Sequence, residues 1–139
     1  MLTRVLFALV LAGASAGAAE AGEAKIVALG LSAREVTADD LAKGTPPAPK
    51  FNTPAIAYVL ASDLKAGDTV EVALANGEGP LITNSETLAA DAETYLLQAG
   101  KRAVPAGGWP QEWTYSARVK ITRGGKTLIE QSTDPIPFE

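Results

Sequence analysis

The sequence contains no cysteine and no histidine. Without cysteine no disulfide can form, so the fold must be held by its core alone. Without both residues no Ser-His-Asp or Cys-His arrangement can be assembled. Zinc and copper sites of the usual His/Cys kind are excluded as well. Only carboxylate, lysine, tyrosine, serine and threonine chemistry remains, and neither a metal nor a cofactor is expected. Basic clusters are missing too. The longest is the pair Lys101-Arg102, and 12 Lys+Arg stand against 16 Asp+Glu for a net charge of −4. Such a chain has no electrostatic footprint for nucleic acid or anionic lipid. Long apolar runs are also lacking. The strongest, from Val5 to about Leu11, falls far short of the roughly 20 residues that span a bilayer, so no stable membrane span is expected. Aromatic residues are few, and both tryptophans fall in one stretch, "GGWPQEW" at 107–113.

What is present begins with the leader "MLTRVLFALVLAGASAGAAEAGEA". Arg4, the short apolar run and the small residues after it have the layout of a secretory signal peptide, residues 1–19. Ala-x-Ala sites end at Ala16 and Ala18, and cleavage after Ala19 also fits. No cysteine follows the run, which excludes a bacterial lipoprotein anchor. The expected location is periplasmic or secreted, in a bacterium. Residues 20–139 are long enough for one core of their own.

The remainder reads as short strands spaced by turns. "KIVALGLSARE" (25–35) is extended in character. Residues 36–54 hold prolines 46, 47, 49 and 54 and form a long loop. Thr37 ahead of "ADDLAK" is set to cap one helical turn, and the loop is expected to cross from one sheet to the other. "AIAYVLA" (55–61) is an apolar run of strand length, followed by a turn on Asp63 and Gly67. "TVEVALA" (69–75) alternates, with Val70, Val72 and Leu74 on one face. Asn76-Gly77 signals a hairpin. "LITNSETLAADAE" (81–93) begins as an edge strand and ends compatible with helix. "TYLLQAG" (94–100) is a further strand. In "EWTYSARVKIT" (112–122) Trp113, Tyr115, Ala117, Val119 and Ile121 share one face. "RGG" then turns the chain into "KTLIEQS" (126–132). A plain Gly124-Gly125 turn pairs Thr122 with Thr127 and Val119 with Glu130. A one-residue bulge, which would place Ile129 opposite Val119, avoids turning Glu130 inward. With six to eight strands and almost no helix, the pattern predicts an all-β antiparallel β-sandwich of about seven strands.

Three segments together resemble a bacterial immunoglobulin-like or fibronectin-III-like domain over roughly residues 55–132. They are "AYVLASDLKAGDTVEVAL", "GGWPQEWTYSARVKI" and the hairpin "TRGGKTLIEQ". The second resembles the Trp-Pro stretch that leads through a tyrosine into the penultimate strand of such domains. Trp113 departs from the pattern, which has glycine there. The chain is also similar to small exported bacterial domains that end in a Gly-Trp motif and a hairpin. The resemblance implies binding, adhesion or accessory roles and carries over no catalytic residue.

Among candidate site residues, Trp113 is expected in the core as the first member of the alternating row. Trp109, in a loop between Gly108 and Pro110, is either a plug at the sandwich end or a stacking face for a sugar or peptide. Tyr115 is expected to tie the loop through its hydroxyl, as in a tyrosine corner. Asp39, Asp40, Asp63, Asp68, Glu78, Asp91 and Glu93 read as turn residues and solvated edges. Their spacing matches neither a calcium loop nor the paired carboxylates of a glycosidase, about 5–10 Å apart. Arg118, Lys120 and Lys126 stand on the outer face of the last hairpin, where charge discourages edge pairing.

The resulting expectation is a non-catalytic binding or accessory module that recognises a protein partner, itself another exported or envelope protein. Loops 44–54 and 101–111, or an exposed edge strand, would make the contact. Trp109, Gln111 and Pro47 are the expected ligand-binding residues. The alternative is a small carbohydrate-binding module using Trp109.

Overall fold

A computed structural model describes residues 23–139. The signal-peptide reading of 1–19 lies outside the described residues. The described chain folds as an antiparallel β-sandwich. Its strands are β1 (Lys25–Ser32), β2 (Ala55–Leu64), β3 (Thr69–Asn76), β4 (Gly79–Thr87), β5 (Ala92–Lys101), β6 (Thr114–Arg123), β7 (Lys126–Ser132) and a two-residue β8 (Ile136–Pro137). Strands β1-β2-β5 form one sheet; β4-β3-β6-β7, with β8 also on β6, form the other.

Alternation explains why the two sheets face each other. On β3, Val70, Val72 and Leu74 are fully buried, and on β6 Tyr115, Ala117, Val119 and Ile121 are buried with them. They meet Ala55, Ala57, Val59 and Ala61 from β2 and Leu97 and Ala99 from β5 in one hydrophobic core. The alanines of β2 are small, so the larger β3 and β6 side chains fill the space between sheets.

The connections depart from expectation in three places. Residues 33–54 do not cross between sheets, because β1 and β2 are adjacent antiparallel strands of the same sheet. The segment instead folds over one end of the sandwich. It contains the helical turn α1 (Ala38–Lys43), opened by a capping box between Thr37 and Asp40. The stretch 88–91 is not helical: the chain leaves β4 at Thr87 and enters β5 at Ala92, which carries it to the other sheet. The β3–β4 hairpin turns on Gly77-Glu78 rather than Asn76-Gly77. Asn76 pairs with Gly79, and its Oδ1 accepts from the Glu78 N–H at 2.8 Å.

The β6–β7 hairpin takes the bulged form. Thr122 pairs with Thr127, and the register then shifts so that Ile121 faces Ile129. Leu128 is the extra residue. The bulge sets Gln131, and not Ile129, opposite Val119, and it sets Glu130 opposite Lys120 on the outer face. One inserted residue therefore keeps a carboxylate out of the core.

Candidate functional site

The loops picked out from sequence meet at one end of the sandwich. Phe51 and Thr53 from the long β1–β2 connection receive the β5–β6 loop. Trp109 N–H donates to the Phe51 carbonyl at 2.8 Å, and Trp109 Nε1 donates to the Thr53 carbonyl at 2.9 Å. The Phe51 N–H reaches the Glu139 carbonyl at 3.3 Å, which adds the last segment of the chain. Gly108 is required at this crossing. Its φ is +86°, and a Cβ there would lie 2.7 Å from the Phe51 ring.

Beneath the loops lies an aromatic cluster. Tyr115 stacks on Phe138 with ring centroids 4.0 Å apart. Trp109 meets both edge-on, each at 6.0 Å. The Tyr115 hydroxyl donates to the Pro110 carbonyl at 2.8 Å, five residues upstream, which is the expected tyrosine corner. Burial, with a smaller contribution from the nearby Glu112 carboxylate, raises the pKa of this hydroxyl above its usual value. It therefore stays protonated and donating.

This geometry decides the readings of both tryptophans and overturns the core reading of Trp113. Trp109 is 6% exposed and Trp113 is 38% exposed. The strand begins at Thr114 rather than at residue 112. Trp113 is thus still loop and does not enter the inward row, which starts with Tyr115. Trp109, weighed as a plug at the sandwich end or a ligand contact, is the plug: its ring lies in the core and its indole N–H is satisfied, so it offers no open face for stacking. Gln111 is exposed beside Trp113. Pro47 is exposed too, and its carbonyl accepts the Ala33 N–H at 2.9 Å, tying the loop to the end of β1. Phe138 is the member of this cluster that sequence reasoning missed. It follows Pro137 in a segment too short to show periodicity.

The opposite end is closed by an ion pair. Asp68 is fully buried and takes Arg123 on both oxygens, Nε–Oδ1 at 2.7 Å and NH2–Oδ2 at 2.8 Å. Its Oδ2 also accepts the Lys65 N–H at 2.8 Å, and its carbonyl accepts the Leu88 N–H at 2.8 Å. Three connections are thereby joined. Asp68 was expected to be a solvated turn residue; it is a buried anchor instead. Its pKa is lowered, chiefly by the Arg123 hydrogen bond, which outweighs burial.

A groove of about 570 Å³ crosses the outer face of the five-stranded sheet. Glu71 and Ala73 of β3, Arg118 and Lys120 of β6, Thr83 of β4 and Glu130 of β7 line it. No protein-family model matches the chain, and no curated protein matches it.

Proposed function

We propose that the chain is a non-catalytic recognition module of the immunoglobulin or fibronectin-III type, exported by a bacterium, that binds another exported or envelope protein. The supporting observation is Trp113. A large, half-exposed indole stands beside Gln111 on a loop fixed from below by Trp109, Tyr115 and Phe138. An aromatic side chain held in place on a rigid base loses little conformational freedom on binding, which is why tryptophan is enriched among the residues that dominate interface energies. The tyrosine corner and the three-against-five arrangement of strands support the fold-family part of this reading.

Immobilised wild-type protein should retain one defined protein from an envelope extract of the source organism, identified by mass spectrometry. Trp113→Ser should lose that protein while keeping the wild-type circular dichroism spectrum, and purified partner should bind wild type at least about tenfold more tightly than the variant. A glycan response that disappears in Trp113→Ser, with no protein retained, would replace this reading by the carbohydrate-binding alternative.

A further inference from the structure

The outer face of the five-stranded sheet carries its charges in two rows. In one row, cross-strand pairing sets Lys120 between Glu71 on β3 and Glu130 on β7. A cation between two carboxylates is locally compensated. Two residues along β6, the next row sets Arg118 between Ala73 and Ser132, with Thr83 beyond Ala73 on β4. Arg118 is exposed, and among the described residues it forms no ion pair. Ala73 is small and 7% exposed, so the groove floor lies low beside the guanidinium.

We infer that this groove binds an extended, otherwise neutral segment of a protein partner that carries a single carboxylate, seated on Arg118. The charge pattern selects the occupant. Guanidinium matches carboxylate in a two-pronged geometry. Hydroxyls of Thr83 and Ser132 flank it and suit a neutral peptide backbone. Glu71 and Glu130 stand in the neighbouring row and repel a second negative charge, which disfavours polyanions and doubly charged phosphate. The volume, about 570 Å³, suits several residues of chain rather than a small ion. The groove lies on strands and is separate from the Trp113 loop, so this inference stands or falls apart from the function proposed above.

The test uses ¹⁵N-labelled full-length protein and a five-residue peptide blocked at both ends, with a central glutamate between valines and serines. Saturable amide shifts are expected at Ala73, Arg118 and Lys120. The glutamine counterpart of the peptide should bind about tenfold more weakly, as expected for loss of a charge-assisted hydrogen bond. Arg118→Gln should reduce glutamate-peptide binding to the same level, and Arg118→Lys should recover part of it. Arg118 is exposed, so both variants should keep the wild-type spectrum elsewhere. Absence of shifts at these three residues, equal response to both peptides, or inorganic phosphate binding as tightly as the glutamate peptide would each overturn the inference.

Discussion

At the scale of the residue, the two tryptophans of one seven-residue stretch differ in what truncation removes. Trp109 contributes a buried indole, two edge-on aromatic contacts and a hydrogen bond to Thr53. Trp109→Ala should therefore cost about 3–5 kcal/mol, the range for emptying a large aromatic site in a core. Trp113 is 38% exposed and meets Tyr115 in a tilted contact at 6.3 Å, and Trp113→Ala should cost about 1 kcal/mol or less. Urea denaturation of the two variants at neutral pH checks the contrast. Equal losses would mean that Trp113 is as deeply anchored as Trp109. Sequence spacing placed Trp113 in the core because Trp113 and Tyr115 have the same parity, whereas the plug reading of Trp109 matches its burial. Parity has meaning only inside a strand, and the strand starts one residue after Trp113.

At the scale of the element, Asp68 and Arg123 bind the β2–β3 turn to the end of β6, and the Asp68 backbone holds the β4–β5 connection. The folded carboxyl titrates below its ordinary value of 3.8. Its contribution to stability is therefore complete above about pH 4 and is lost as pH falls through the lower folded value. Free energy of unfolding measured from pH 6 down to pH 2 should decline steeply in wild type, and the decline should be shallower in Asp68→Asn. Arg123→Gln should cost more at pH 7 than at pH 3, by about 1–3 kcal/mol at neutral pH. It leaves a buried carboxylate without its cation, and partial exposure of the arginine keeps the loss below that of a fully buried pair. A pH-independent cost would show that Arg123 acts through packing alone. Most of the elements themselves were legible: the alternating β3 and β6 and the capped turn at Thr37 follow from local chemistry, whereas the register of the last hairpin stays open in the sequence between a plain and a bulged turn and is decided by the cross-strand pairing. Asp68 was not, since an aspartate beside a glycine in a turn looks the same whether or not an arginine 55 residues away closes over it.

At the scale of the whole molecule, a sandwich without disulfides has to protect its sheet edges as well as fill its core. The β4 and β5 edges are sewn together by side chains. Asn84 Nδ2 donates to the Gln98 carbonyl at 2.9 Å, and the Tyr95 hydroxyl donates to Glu86. Burial and the Glu86 carboxylate push the Tyr95 pKa up to about 12, so this seam keeps its proton through the neutral range. The outer strands β1 and β7 each carry a bulge, at Val27 and Leu128, and bulges twist an edge away from regular pairing. Deleting Leu128 keeps Ile129 opposite Ile121 but straightens β7. The deletion variant should fold and should self-associate at concentrations where wild type does not, as read by sedimentation velocity. A variant that unfolds outright would show the bulge to be needed for the register itself.

The sequence by itself determined the all-β class, the inward row of β3 and that of β6 from Tyr115 onward, and the exclusion of histidine and cysteine chemistry. These depend on residue type and on a period of two along one strand, and both are local. Only the tertiary structure decided which tryptophan is buried, which aspartate is an anchor, and that Arg118, without an ion-pair partner among the described residues, stands above a low floor at Ala73. Each of these depends on what a distant strand or loop brings alongside, and spacing along the chain carries no record of that neighbour.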